Sequence, residues 1–183
     1  MNFENKKKPF FYEKKINIKK IEKKIKFRIS KNQNFIEFSE LGFRYLKDIS
    51  KQIKVNNGGL LLIDYGYSKS KMRNTLQGVI NHKFANILEH LYKVDITHNI
   101  NFNLFKNFIK KISGLDNILT TQKYFLTNMG IMKRAEIISK NQNFLKKADM
   151  LYRIKRLIDE RQMGNLFKVM LIKNKDNKFN LGF

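Results

Sequence analysis

Residues 58–67 read Gly-Gly-Leu-Leu-Leu-Ile-Asp-Tyr-Gly-Tyr, and this stretch decides the fold class. Leu60 to Ile63 form a short apolar run without alternation, and two glycines precede it. A run of this kind is typical of a strand buried on both faces, as in the parallel sheet of an α/β protein. The sequence therefore predicts an α/β fold with this strand inside the sheet.

A helix is predicted directly before this strand. Ser39 can cap its first turn, and Asn57 and Gly58 suit the left-handed backbone at its end. Between these ends, apolar residues recur at intervals of three and four: Leu41, Tyr45, Leu46, Ile49 and Ile53. A helix, a glycine turn, a buried strand and a polar loop together make half of a doubly wound unit.

Later segments continue the α/β pattern. Helical spacing predicts one helix over 102–112, capped by Asn101 or Asn103, and another over 144–158. A second apolar run, 166–172, is predicted to be a buried strand. The turn residues that follow it predict a terminal β-hairpin ending at residue 183.

The N-terminal segment, residues 1–38, is predicted to form a separate basic unit of antiparallel strands. Ile25, Phe27 and Ile29 alternate with basic residues, which is a strand pattern. The first 31 residues hold 12 basic and three acidic side chains. The remaining residues, 39–183, are assigned to the α/β part.

Composition excludes several classes of protein. The chain has 183 residues with 42% hydrophobic content, enough for a core, and no apolar run long enough to cross a bilayer. It has no cysteine, so disulfides and thiolate metal sites are excluded. His82, His90 and His98 recur every eight residues, but the extended stretch 95–97 breaks any common helix. No metal site is predicted.

The net charge of +23 raises the alternative of a nucleic-acid partner. The 38 basic residues are mostly lysine, whereas arginine has the planar fork that suits phosphates and bases. A lysine-rich composition also arises from A/T-rich codons, so nucleic acid is not the favoured partner. The alternative is a basic nucleic-acid-binding module that stacks bases on Phe10, Phe11 and Tyr12.

Asp64, Tyr65 and Gly66 follow the first buried strand directly. Ligands of open α/β sheets bind outside the carboxyl ends of the strands, so these residues can form a pocket wall. A turn cap at Asp64 with packed tyrosines explains the pattern equally well. No glycine motif for nucleotide phosphates occurs in the chain, so no cofactor-binding residue is predicted.

Five blocks of sequence, in their order and spacing, resemble the MidA family of S-adenosylmethionine-dependent methyltransferases. The blocks are residues 58–67, Thr75-Leu-Gln-Gly78 with His82, Asp95-Ile-Thr-His98 through Phe102, Thr121-Gln122 through Ile131, and Met163-Gly164 through Val169. The resemblance covers only the C-terminal half of the family's domain.

This resemblance implies a class I methyltransferase fold, a Rossmann-like sheet, with S-adenosylmethionine as the cofactor. By the family's layout, residues 60–63 are the fifth sheet strand, 166–172 are a late antiparallel strand, and 11–38 are a β insertion. Mitochondrial relatives methylate an arginine of a respiratory complex I subunit during assembly of that complex. The family's glycine-rich cofactor loop has no counterpart here, so the implied partners are a protein substrate and a complementary N-terminal half.

The resemblance also implies roles for individual residues. Asp64 and Asp95 are the acids expected to orient an arginine acceptor in catalysis. The residues expected to bind the substrate are Tyr65, Gly66, His82, Thr97, His98 and Gln122. Asn74 and Asn101 stand where the family usually has Asp, which removes a charge at both positions.

No signal peptide is seen, so we expect a cytoplasmic protein in a bacterium and a mitochondrial one in a eukaryote. A non-catalytic scaffold that holds a complex I subunit is the other alternative to the enzyme.

Overall fold

The computed structural model describes residues 9–89 and 92–183. Along these residues the chain forms, in order, α1 (Ile18–Ile25), α2 (Glu40–Asn56), β1 (Gly59–Tyr67), β2 (Gln77–Ile80), β3 (Lys83–Ala85), β4 (Asp95–Thr97), β5 (Ile100–Asn101), α3 (Phe102–Lys110), β6 (Leu115–Thr121), α4 (Gln122–Asn128), α5 (Ile131–Ser139), α6 (Phe144–Ile158), α7 (Met163–Leu166) and β7 (Phe167–Asn174).

The elements divide into two compact units. The larger unit holds Ser39–Ser70 and Ile100–Phe183, and the smaller unit holds the described part of Met1–Phe38 together with Lys71–Asn99. The predicted division into 1–38 and 39–183 concerns the family's domains and stays a prediction. In the structure, residues 71–89 and 92–99 group with the described part of the N-terminal segment.

The larger unit is built on a four-stranded mixed sheet with the strand order β5-β1-β7-β6. Strand β1 runs parallel to β5 and antiparallel to β7, which in turn pairs antiparallel with β6. The predicted α/β class is confirmed, and so are the strands predicted at 60–63 and 166–172. Strand β6 was not predicted, because polar residues such as Asp116 and Thr120 interrupt its apolar pattern.

The helix ends of the larger unit confirm the predicted caps. Ser39 Oγ accepts a hydrogen bond from the Gly42 N–H at 3.0 Å at the start of α2. That helix ends at Asn57, which has the left-handed φ of 49°. Asn101 Oδ1 accepts from the Leu104 N–H at 3.1 Å at the start of α3. Local side-chain chemistry therefore fixes where these helices begin and end.

The burial predicted for β1 is wrong. Leu61 and Ile63 are 45% and 46% exposed, although the sequence predicts that the run Leu60 to Ile63 is buried on both faces. Strand β7 pairs with β1 along 59–65, whereas β5 reaches only Gly66 and Tyr67. Among the described residues, the second edge of β1 therefore has no partner strand over 59–65.

The smaller unit contains an antiparallel sheet with the strand order β3-β2-β4. Strands β2 and β3 are joined by Asn81 and His82, whose φ values of 49° and 61° are typical of a tight two-residue hairpin turn. The antiparallel strands of this unit therefore come from residues 77–97.

The strands predicted within residues 1–38 are wrong. Ile18–Ile25 form helix α1, and the rest of the described segment 9–38 contains no strand. Asn17 caps the helix by accepting from the Lys20 N–H at 3.1 Å, and Lys26 ends it with a left-handed φ of 54°. Isoleucines three and four positions apart favour this helix over alternation. Residues 1–8 of the predicted basic unit lie outside the described part of the chain.

The predicted terminal β-hairpin is also wrong. After β7, the described residues 175–183 form no strand. Phe183 instead packs its ring against Phe125 of α4, with the ring centroids 5.3 Å apart. Aromatic packing at the chain's end takes the place of strand pairing.

Glu22 fastens the segment that follows α1. Its Oε1 accepts hydrogen bonds from the Ile29 N–H and the Ser30 N–H at 2.7 Å, and from Ser30 Oγ at 2.8 Å. The bonds from Ser30 are the main cause that lowers the pKa of Glu22 below its usual value of 4.5. The ionised carboxylate therefore stabilises this connection.

We predict that acid loosens this connection through Glu22. Because the pKa of Glu22 is lowered in the folded protein, the stabilisation is present at pH values above the usual pKa. It is lost as the pH falls through the lowered pKa. NMR spectra should show the Ile29 and Ser30 amides losing hydrogen-exchange protection on acidification. Glu22→Gln should abolish this response, and Glu13→Gln should keep it. An unchanged response in Glu22→Gln would contradict the assignment.

Candidate functional site

The carboxyl end of β1 carries the first group of predicted site residues. Asp64 is half-buried, and its Oδ1 accepts a hydrogen bond from the Tyr65 N–H at 2.7 Å. The Tyr65 ring packs on Phe167 of β7 with the centroids 4.3 Å apart. One oxygen of Asp64 and part of the Tyr65 ring stay available to a ligand.

Lys168 lies opposite Asp64 in the pairing of β1 with β7. Its Nζ donates to the backbone carbonyl of Asn165 and forms no ion pair with Asp64. Burial lowers the pKa of the Lys168 amine. The Asp64 carboxylate is therefore not neutralised by the cation that faces it across the strands.

Gly66 is required by the close approach of β5. A Cβ at this position would lie 2.5 Å from the Ile100 carbonyl oxygen and 2.5 Å from the ring of Phe102. No real Cβ tolerates these distances, so glycine here lets β1 and β5 pair. The role of Gly66 in substrate binding stays a prediction.

Gln122 begins α4 and is buried. Its Nε2 donates a hydrogen bond to the Leu157 carbonyl of α6 at 2.9 Å, which ties the two helices together. A buried, engaged amide has a structural role, and its predicted contact with substrate stays a prediction.

The other predicted site residues lie in the smaller unit. Thr97 Oγ1 accepts from Gln77 Nε2 at 3.1 Å, between paired residues of β4 and β2. Asp95 begins β4 and is exposed, and His98 follows that strand and is exposed too. His82 is exposed in the turn between β2 and β3. Because Asp95 pairs with Val79 near that turn, the strand register brings Asp95 and His82 to the same end of the small sheet.

Thr75 anchors the loop before β2 through a contact that the sequence does not predict. Its Oγ1 donates to Glu37 Oε2 at 2.5 Å and accepts from the Asn99 N–H at 2.9 Å. Glu37 Oε1 also accepts from the Thr75 N–H at 3.4 Å. Thr75 lies in one of the five blocks that resemble the family. No sequence pattern around Glu37 predicts that Glu37 is the partner of Thr75. The contact spans 38 positions of sequence.

Asn74 and Asn101, which stand where the family usually has Asp, each accept a hydrogen bond from a nearby backbone N–H. Asn74 Oδ1 accepts from the Leu76 N–H at 3.2 Å, and Asn101 Oδ1 caps α3. Asn101 is 7% exposed, and its Nδ2 is buried without a hydrogen-bond partner. An aspartate at this position would have no such donor, so the amide adds an unsatisfied group of the kind that costs about 1–3 kcal/mol.

Among residues 9–89 and 92–183, no three His, Cys, Asp or Glu side chains are placed to hold a metal ion. His90 lies outside these residues. Within the same ranges, no helix is long and apolar enough to cross a membrane.

The fold is similar to that of two solved structures. A crystal structure of a Burkholderia thailandensis protein bound to S-adenosyl-homocysteine matches this chain with a TM-score of 0.56 and 24% identity, over 75% of this chain and 38% of that one. A second crystal structure from the same species gives a TM-score of 0.55 and 24% identity, over 73% and 38%. The mixed α/β fold of this chain is therefore similar to that of a protein whose crystal structure contains S-adenosyl-homocysteine.

Two curated relatives share more specific similarity. Both are named protein arginine methyltransferase NDUFAF7, mitochondrial. The relative from Danio rerio is 26% identical over 133 residues, covering 70% of this chain and 30% of its own length. The one from Xenopus tropicalis is 26% identical over 124 residues, covering 67% and 28%. The matched region spans less than a third of either relative.

A family model described as a putative S-adenosyl-L-methionine-dependent methyltransferase matches residues 3–121. Because the match takes in most of the chain, the chain belongs to this family. The methyltransferase family and the cofactor predicted from the sequence motifs are confirmed.

The described residues of the larger unit do not by themselves offer a site for the cofactor at either end of β1. At the carboxyl end of β1, the space beside Gly66 is filled by Ile100 and Phe102. A cavity of about 380 Å³ in the larger unit lies at the opposite, amino end of β1, where Lys173 is one of the lining residues. S-adenosylmethionine carries a positive sulfonium, which an ammonium repels. No step of the reaction is therefore assigned to a cofactor held by these residues.

Gly66→Ala should destabilise the larger unit by about 1–3 kcal/mol, because the added methyl overlaps Ile100 and Phe102. Gly58→Ala is the matched control, since a Cβ there meets nothing within 4 Å. Urea unfolding followed by circular dichroism measures both. Equal stability of the two variants would show that β5 does not approach β1 as closely as the structure has it.

Proposed function

We propose that this chain is the substrate-side part of a protein arginine methyltransferase and corresponds to the C-terminal half of the family's domain. The observation that carries this proposal is the family match over residues 3–121, which includes every candidate site residue except Gln122. The names of the two curated relatives supply the acceptor, an arginine of a protein.

Asp64 is the residue that best suits the acceptor. A guanidinium binds carboxylates through paired N–H donors, and one oxygen of Asp64 has no hydrogen bond within the described residues. Tyr65 is 40% exposed, but as the next residue of β1 it lies on the opposite face of the sheet, so the guanidinium would bind Asp64 without stacking on the Tyr65 ring. Asp95, exposed at the start of β4, is the second acid proposed for this role.

The contribution of these acids would be positioning. A guanidinium nitrogen must be aimed at the methyl group it receives, and a carboxylate that binds its other N–H groups fixes that direction. As the new nitrogen–carbon bond forms, the bond that holds the methyl group to the sulfur of the donor would break. The adjacent carboxylate would stabilise the positive charge on the guanidinium until the displaced proton leaves to water. The methyl donor is held by a complementary N-terminal half that carries the cofactor loop.

The partners and the location follow from the same proposal. A subunit of respiratory complex I is the proposed protein substrate, by the family resemblance. The proposed location is the mitochondrion in a eukaryote, where the named relatives belong, and the cytoplasm in a bacterium.

We predict that Asp64→Asn in the host cell lowers methylation of the acceptor arginine at least tenfold, because the amide loses the charge that binds a guanidinium. Asp95→Asn should lower it similarly. Asp176→Asn, in the exposed turn after β7, is the matched control and should have no effect. Mass spectrometry of methylarginine in complex I subunits measures the change. Wild-type methylation in both site variants would refute the proposed roles.

We also predict that the purified chain alone does not bind S-adenosylmethionine with micromolar affinity, because its cofactor loop is missing. Isothermal titration calorimetry measures this directly. Micromolar binding by the isolated chain would contradict the division of the site between two parts.

One observation favours a second function. Phe10, Phe11 and Tyr12 are 74%, 70% and 78% exposed within a basic segment, which suits stacking with nucleic-acid bases. A nucleic-acid-binding module would lose affinity steeply with rising salt, and deletion of residues 1–31 would abolish it. A non-catalytic scaffold would instead hold the complex I subunit without methylating it, which a pull-down with mass spectrometry distinguishes.

A further inference from the structure

Helix α6 carries apolar side chains on two different sides. Ile154 is buried in the larger unit, whereas Phe144, Leu145 and Tyr152 are 81%, 76% and 69% exposed. We infer that the exposed side binds the surface of an anionic phospholipid membrane. The inference concerns a surface that the proposed function does not use, so the two can fail independently.

The exposed apolar residues lie on one face of the helix. Successive residues of an α-helix are rotated by about 100°, which places all five of them within an arc of about 120°. We define the α6 apolar face by these residues, Phe144, Leu145, Ala148, Leu151 and Tyr152. The buried side of the helix lies outside this arc. An apolar face that is not used for packing in the larger unit is free to meet another apolar medium.

The charges of α6 are those of a helix that binds an anionic surface. The helix has five basic residues and one acid, and that acid, Asp149, forms an ion pair with Arg153 at 2.9 Å. Within the described ranges, no carboxylate forms an ion pair with Lys155 or Arg156. Lys155 falls within the arc of the α6 apolar face, and Arg156 falls at its border. Long basic side chains can bury their stems beside apolar groups and still reach lipid phosphates.

A membrane suits this face better than an acidic protein does. Side chains as exposed as Phe144 and Leu145 project from the surface and do not line a groove that could receive a partner helix. One third of the surface of a 15-residue helix is roughly 250 Å², well below the area of about 800 Å² that each protein buries in a standard interface. A membrane needs no such area, because single side chains enter it separately. The formal charge of +23 adds attraction at longer range.

Helix α6 would lie along the membrane. Among the helices of residues 9–89 and 92–183, none is long and apolar enough to cross a bilayer. The α6 apolar face would enter the boundary between headgroups and acyl chains, while Lys155 and Arg156 would stay at the level of the phosphates. Binding therefore needs both the apolar side chains and the basic ones.

A single tryptophan tests the inference, because the natural chain contains none. Phe144→Trp places this reporter on the α6 apolar face, and Val55→Trp places it at a residue of α2 that is 80% exposed. Vesicles of phosphatidylglycerol should shift the emission of the Phe144→Trp protein to shorter wavelength and protect it from quenching by acrylamide. The Val55→Trp protein should show neither effect, and vesicles of phosphatidylcholine should affect neither protein.

Two results of this experiment would overturn the inference. Equal shifts at positions 144 and 55 would mean that the net charge alone adsorbs the chain, without a dedicated face. No shift at position 144 with either kind of vesicle would mean that the α6 apolar face does not enter a membrane, as expected if it binds a protein instead.

Substitutions on the face provide a second measurement. Leu145→Ser combined with Tyr152→Ser should weaken sedimentation with phosphatidylglycerol vesicles at least tenfold, because the apolar contribution to binding is lost. Lys155→Gln should weaken it too, whereas Val55→Ser should leave it unchanged. Circular dichroism confirms that the variants fold, which their exposed positions favour. Wild-type sedimentation of the double variant would refute the role of the α6 apolar face.

Discussion

The structure depends on the pairing of β1 with β7. Seven consecutive residue pairs, from Gly59 with Lys173 to Tyr65 with Phe167, join these strands in antiparallel register. Strand β7 also pairs with β6, so it lies between two strands and is buried from Val169 through Lys173. Each aliphatic side chain fully buried in this way contributes about 1.5–3 kcal/mol relative to exposure. Helices α2 and α3 have a stable surface to pack on only because this pairing exists.

The sequence predicts what local chemistry determines. Ser39, Asn57 and Asn101 act within one helical turn, so their caps were predicted correctly. The alternation of Ile25, Phe27 and Ile29 predicts a strand in this basic segment, whereas the isoleucines of Ile18–Ile25 recur at helical spacing and form α1. The exposure of β1 could not be predicted, because an apolar run shows that a strand prefers burial and does not show that a partner is present in the same chain.

In the candidate site, too, the sequence predicts local features and does not predict contacts between distant residues. Placement of Asp64 and Tyr65 at the carboxyl end of a strand follows from sequence order alone. The tie between Thr75 and Glu37, and that between Gln122 and Leu157, join positions more than thirty residues apart. No local pattern predicts which of many polar residues will meet across such a distance. The structure therefore separates side chains that hold elements together from those that stay available to a ligand.

The pairing of β1 with β7 also determines how the protein can be made. Tyr65 and Phe167 pair directly although more than a hundred positions separate them, and loop closure over such a distance slows folding. During synthesis β1 leaves the ribosome long before its partner strand β7. The leucines of β1 therefore stay exposed in the nascent chain until β7 has been made. Strand β6 is also unpaired until then, because within the part of the chain that the structure describes its one partner strand is β7. The sheet forms only when the last strand arrives, which makes the unfinished chain a natural client for chaperones.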